Sequence, residues 1–207
     1  MAHQCPNGNM LYYLKEDDDD AIINSFCIAI RGKKDYHVYP AFEFEHYDLD
    51  REQVRKYIMA ACCISDILAI PCPQIQFTCG TDGWNAGRQL IMIPDGMTYV
   101  ETIACLAHEM RHVFQQIYNS EILEGYILPK SDNDMKQYLH HAAEIDAEAF
   151  GRRMAGITFD IDPECTDLYK CEDGKLTKKI RKRAGEIKID ITSHYQSTLL
   201  LKEMFAN

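Results

Sequence analysis

His108 and His112 stand four residues apart, with Glu109 beside the first, in the stretch "LAHEMRHVFQQIY" from Leu106 to Tyr118. On an α-helix a step of four residues overshoots one turn by about 40°, so both imidazoles leave from one face and can meet at a single cation. Imidazole pairs at this spacing suit zinc. Glu109 is set off from the ligand line, where its carboxylate can take a proton from a water at the metal rather than bind the metal itself. A chain with eight histidines produces H-E-x-x-H by accident at roughly a few per cent. The motif therefore needs a third ligand and a frame that brings it near.

The third ligand is sought downstream, in "HHAAEIDAEAFGRRM" from His140 to Met154. Glu144 is the preferred choice. Glu148 lies one turn further on the same helical face, placed to accept the free ring N–H of a metal-bound histidine. Acids at this spacing also mark ordinary solvated helices. The small residues Ala142, Ala143, Ala147, Ala149 and Gly151 argue for the site, because they let a second helix come close. His140 and His141 are rival ligands, and a site of three histidines stays open at this point.

The elements that must position these groups follow from periodicity. Thr98 and Glu101 form a capping-box pattern that starts the H-E-x-x-H helix, and Val100, Ile103, Ala104, Ala107, Phe114 and Ile117 give it an apolar side. Three ionisable groups on so apolar a helix are costly to bury without a cation or charged partners. Upstream, "REQVRKYIMAACCISDILAI" predicts a helix with Val54, Tyr57, Ile58, Ala61, Ile64 and Leu68 inside, ended by Pro71. "QIQFTCG" and "RQLIMIP" predict strands on either side of the loop "TDGWNAG". "NSFCIAI" (Asn24 to Ile30) and "YHVYPAFEFEHY" (Tyr36 to Tyr47) predict an antiparallel pair, the second strand disturbed by Pro40.

A long helix is expected from near Asp132 or Asp134 to about Met154, with Gly156 as its stop. A strand in "EIKIDIT" and a helix in "STLLLKEMF" follow. The expected fold is α+β, a small mixed or antiparallel sheet packed on the H-E-x-x-H helix with a second ligand-bearing helix. The expected organisation is one domain over 1–207, its core at about 50–156, with the N-terminal strand pair and a C-terminal extension packed on it.

Composition narrows the partners. The 207 residues carry a net charge of −10 with 46% hydrophobic residues, ordinary for a globular protein and unfavourable for nucleic acid or an anionic membrane as main partner. No apolar stretch approaches a membrane span, and the first twenty residues lack the basic start and apolar middle of a signal peptide. Nine cysteines, an odd count without any C-x-x-C, point to reduced thiols and a cytoplasmic location. Asp17 to Asp20 form an acidic run expected to be a solvated loop. The basic cluster "KKIRKR", Lys178 to Arg183, is a solvated helical face in the simple account and a nucleic-acid contact in the sharper one.

"HEMRH" followed by "EIDAEAF" resembles the short gluzincin metallopeptidases, in particular the ImmA/IrrE-like peptidases and related metallopeptidases of bacterial mobile elements. The resemblance covers mainly Gln89 to Met154. It implies a zincin-like fold, with His108, His112 and Glu144 as ligands of Zn2+ and Glu109 as catalytic base. Ala147 and Phe150 match the packing positions of that family, Gly151 stands where alanine is usual, and Glu148 stands where related gluzincins often carry aspartate.

The implied function is zinc-dependent hydrolysis of peptide bonds in an intracellular protein or peptide, with a repressor or an antitoxin as the implied kind of substrate. The substrate is expected to lie extended along the edge of "RQLIMIP". The alternative is a zinc-containing regulatory or protein-binding domain with little or no peptidase activity, and a further one is a metal-free interaction domain. Tyr138, His141, His194 and Tyr195 are candidates for a donor to the oxyanion, each weighed against a structural role. Arg111 points away from the ligand face, towards the surface or a helix pairing. Trp84 is a packing anchor or a rim of the cleft.

Overall fold

A computed structural model describes residues 2–4, 10–12, 42–44, 51–78, 83–85, 90–94, 96–161 and 173–206. In chain order the strands are β1 (Ala2–Gln4), β2 (Met10–Tyr12) and β3 (Phe42–Phe44), followed by helix α1 (Arg51–Leu68). Strands β4 (Gln74–Thr78), β5 (Gly83–Asn85) and β6 (Leu90–Pro94) lead into α2 (Tyr99–Tyr118). A 3-10 turn at Ser120–Leu123 precedes α3 (Asp132–Leu139), α4 (Ala142–Phe159), α5 (Gly174–Glu186) and α6 (Tyr195–Phe205). The expected strand Asn24–Ile30, Pro40 and the acidic run Asp17–Asp20 lie outside the described residues.

Helix outweighs strand by more than the α+β expectation implies, because each strand has only three to five residues. They pair in the order β1-β2-β3-β4-β6-β5. β4 and β6 run parallel with Ile75 opposite Ile91, and both residues are buried. β3 is flanked by β2 and β4. The loop "TDGWNAG" supplies β5, which pairs antiparallel with β6 through Gly83 with Met92 and Asn85 with Leu90. β6 is therefore not the sheet edge that was expected. Three loop residues close it off, and β5 takes the edge.

One apolar core joins the sheet to the helices. Tyr57, Ile58, Ala61, Ile64 and Leu68 of α1 are buried as their spacing predicts, together with Cys62 and Cys63. α1 ends where Ala69 turns to a φ of 54°, two residues before Pro71. On α2 the capping box at Thr98 and Glu101 is formed in both directions. Ile103, Ala104, Leu106, Ala107 and Met110 are buried, whereas Ile117, expected inside, is exposed near the helix end. Phe150 and Met154 of α4 and Leu201 and Phe205 of α6 complete the core.

Two local expectations need correction. The single long helix from Asp132 breaks at His140–His141, where His141 takes an extended conformation and its Nδ1 accepts the N–H of Ala143, capping a new helix. That helix runs through Gly156 to Phe159 and stops at Asp160, whose φ is 54°. Gly156 is tolerated inside it. "EIKIDIT" forms no strand: Ile187 closes α5, Ile187 and Ile189 pack on the core, and a turn follows from Ile191. "STLLLKEMF" is helical, within α6. No helix among the described residues is long and apolar enough to cross a membrane.

Candidate metal centre

Helices α2 and α4 lie against each other, and they approach closely at Gly151. A Cβ built on it would stand 2.6 Å from the backbone oxygen of Ala104 and 3.4 Å from the Cβ of His108. The glycine at 151 thus has a local cause, since any side chain there would force a neighbour to shift. The break at His140–His141 has a second consequence. It puts Glu144 in the first turn of α4, where the positive end of the helix dipole favours a carboxylate.

His108, His112 and Glu144 converge, each offering one ligand atom within 4.8 Å of the others, and all three are buried. The Nε2 atoms of the two histidines are 3.2 Å apart. Glu144 Oε2 is 3.4 Å from His108 Nε2, and its Oε1 is 3.2 Å from His112 Nε2. A tetrahedral zinc with bonds of about 2.0–2.2 Å holds its ligands about 3.3–3.6 Å apart, so the spacing fits that ion closely. Glu109 Oε1 stands 3.9 Å from His108 Nε2, beside the cluster rather than in it. His140 and His141 are not part of it: His140 binds Asp173 at 3.0 Å, and His141 caps α4 while its Nε2 faces the carbonyl of Glu124.

The charges ask for a cation. Glu109, Glu144 and Glu148 are all buried, and Arg152 pairs with Glu148 at 2.6 Å. Burial pulls the His108 imidazole towards the neutral form, but the carboxylates of Glu144, Glu148 and Glu109 outweigh it and hold its pKa well above the ordinary value. Burial pushes Glu144 up, and the two imidazoles overcome this and hold it well below the usual carboxylate range. Without an ion these carboxylates draw protons onto the ring. A divalent metal satisfies the same deficit.

Each histidine has its own support. Glu148 Oε2 is 3.5 Å from His108 Nδ1, too long for a formed hydrogen bond, and that nitrogen is buried without one. His112 Nδ1 lies 2.8 Å from Gln115 Oε1. Sequence reasoning named Glu148 and missed Gln115, although Gln115 lies three residues on, on the same face of α2. Tyr126 was missed as well, and its hydroxyl donates to Glu144 Oε1 at 2.6 Å. Burial and the neighbouring carboxylate of Glu144 push that phenol's pKa far up, so it stays a donor. Tyr126 sits in a loop with no pattern around it, and only the folded chain brings it in.

The other donor candidates separate clearly. Tyr138 is half-buried and meets the Tyr126 hydroxyl at 3.2 Å. His194 pairs with Asp66 at 3.1 Å, tying α6 to α1, and Tyr195 is exposed. Arg111 takes the helix-pairing role, with its Nε 2.8 Å from Asp146 Oδ2 on α4. In the basic cluster, Ile180 is buried, Lys178, Lys179 and Lys182 face solvent, and Arg183 reaches Asp146.

Compared with known proteins, the chain matches no family model, no curated protein and no solved structure.

Proposed function

We propose that this chain is a zinc-dependent metallopeptidase of the gluzincin type, zincin-like in fold, that acts on an intracellular protein. The observation that carries the reading is the buried convergence of His108, His112 and Glu144 with Glu109 beside them. The resemblance of "HEMRH" and "EIDAEAF" to the ImmA/IrrE-like peptidases supports it independently of the geometry. So does the order of elements, in which an antiparallel edge strand is followed by a parallel strand and the H-E-x-x-H helix.

His108, His112 and Glu144 would hold the ion, two imidazoles and one carboxylate being a donor set that suits zinc. Zinc, when bound, lowers the pKa of water to around 7 and polarises a carbonyl. The remaining work falls to the chain. Glu109 takes the proton of the attacking water and returns it to the leaving amine. Gln115 orients the His112 ring, Glu148 stands beside His108 Nδ1, and Tyr126 holds Glu144 from the loop side. An extended peptide adds to the edge of β5, the outermost strand on that side, through main-chain hydrogen bonds. A cytoplasmic repressor or antitoxin is the kind of substrate the resemblance favours.

The test pairs metal content with turnover. Purified wild type is expected to carry about one zinc per chain, and His108→Ala to lose it. Glu109→Gln is expected to keep the zinc while cleavage of casein, or of a repressor or antitoxin encoded beside the gene, falls by about 10²–10⁴-fold. Equal cleavage by wild type and Glu109→Gln would end the peptidase mechanism. Zinc without turnover in wild type would leave the regulatory, protein-binding reading in its place.

A further inference from the structure

The basic helix α5 lies outside the segment that carries the two motifs, yet one of its side chains ends at the metal cluster's support. Arg183 donates from Nε to Asp146 Oδ1 at 2.8 Å. Arg111 donates to the other oxygen, Oδ2, at 2.8 Å. Asp146 is among the most buried charged residues of the chain, at 1% exposure, and the two guanidinium groups clamp its carboxylate from two different helices. Its remaining partner is Gln115, whose Nε2 donates to Asp146 Oδ2 at 2.9 Å and to the carbonyl of Ala143 at 3.0 Å.

Those bonds decide which way the Gln115 amide faces. Both Asp146 and the Ala143 carbonyl can only accept, so the NH₂ end must point at them. The carbonyl end then faces His112 Nδ1 at 2.8 Å, and it accepts nothing unless that nitrogen carries the proton. The N–H at Nδ1 leaves Nε2 with its lone pair, pointing to His108 and Glu144.

We propose that Gln115 is a positioning residue that fixes the tautomer and orientation of His112, and that Asp146 and Arg183 set Gln115, so that α5 is wired into the metal site. The link to metal affinity rests on the zinc reading above, whereas the tautomer does not. Glu148 serves His108 with a carboxylate and Arg152. The Gln115 chain serves His112 without adding a further charge next to the ring. Removing such outer partners usually costs 10–100-fold in metal affinity.

The test uses the full chain in two states. Ring ¹⁵N NMR of the metal-free protein is expected to find His112 as the Nδ1–H tautomer in wild type and as a mixture in Gln115→Leu. Competition with a chromophoric chelator is expected to find zinc bound about 10–100-fold more weakly by Gln115→Leu. Arg183→Met, at a side chain one-third exposed, is expected to weaken zinc several-fold and to shift the visible bands of the Co²⁺-substituted protein. Arg183→Lys is expected to recover most of that affinity. An unchanged tautomer in Gln115→Leu would overturn the proposal. Wild-type affinity and an unchanged cobalt spectrum in Arg183→Met would remove α5 from the site. Failure of wild type to bind zinc would sink the zinc reading instead, and the metal-free NMR would still decide the Gln115 link.

Discussion

Helix α4 buries acids in two adjacent clusters, and the two are balanced in opposite ways. Asp146 is met by Arg111, Arg183 and the amide of Gln115, so its charge is matched within the chain. Burial pushes its pKa up, and the hydrogen bond and charge of Arg111, with the hydrogen bonds of Gln115 and Arg183, bring it below the ordinary value. Glu144 and Glu148 instead face two imidazoles, with Glu109 adding a third carboxylate and Arg152 giving one cation. Two arginines meet Asp146, whereas Glu144 meets two imidazoles and Glu148 one imidazole and one arginine. The difference separates an acid held by arginines from a His/His/Glu group that could hold a metal ion.

The comparison breaks most severely at the clamp. Asp146→Ala strands Arg111, which is largely buried, and frees Arg183 and Gln115 from their shared acceptor. Removing one member of a buried ion pair costs about 3–5 kcal/mol. Urea denaturation is expected to show a loss of that size, with or without zinc present. A loss below about 1 kcal/mol, the range of a surface pair, would mean that the clamp does not hold α2, α4 and α5 together. The second break is removal of metal. Zinc at a thousand times its Kd stabilises the folded chain by about 4 kcal/mol, so a strong chelator is expected to lower the Tm of wild type by several degrees and that of His108→Ala by none. Equal melting of loaded and stripped wild type would show protons balancing the three carboxylates as well as an ion does.

The sequence made the cluster legible and the clamp nearly invisible, for a physical reason. His108, Glu109 and His112 share one helix, so their geometry follows from 3.6 residues per turn. Glu144 follows from a second helix whose small residues permit contact. The clamp joins Arg111, Asp146 and Arg183 across three helices, and no local period records that meeting. The same holds for Tyr126 in its loop and for β5 within "TDGWNAG". The break at His140–His141 escaped because a helical pattern continues across it, while the cap depends on one histidine turning to accept Ala143 N–H. α1 and most of α2, whose periodicity is local, were readable from their buried positions, and α6 as a helix. In "EIKIDIT" alternation reflected Ile187 and Ile189 packing on the core from an extended segment, not a strand.

A smaller change sharpens the contrast between the two halves of the α2–α4 contact. Gly151 lies on the Glu148 side of that contact, one turn past the residue that supports His108, while Asp146 holds the opposite side. Gly151→Ala gains about 1 kcal/mol in helix propensity, which on an open surface would stabilise α4. Here the added methyl meets the carbonyl oxygen of Ala104, a backbone atom that cannot swing aside as a side-chain end would, at 2.6 Å. Overpacking in cores costs about 1–3 kcal/mol, so a net loss of up to about 2 kcal/mol is expected on denaturation. The helices can part only at this end, because the arginines pin the other. His108 therefore moves away from Glu144 while His112 stays with Gln115, and zinc affinity is expected to fall more than stability alone accounts for. Gain of stability with unchanged zinc binding would show that the close approach at Gly151 is not what sets the distance between the two ligand-bearing helices.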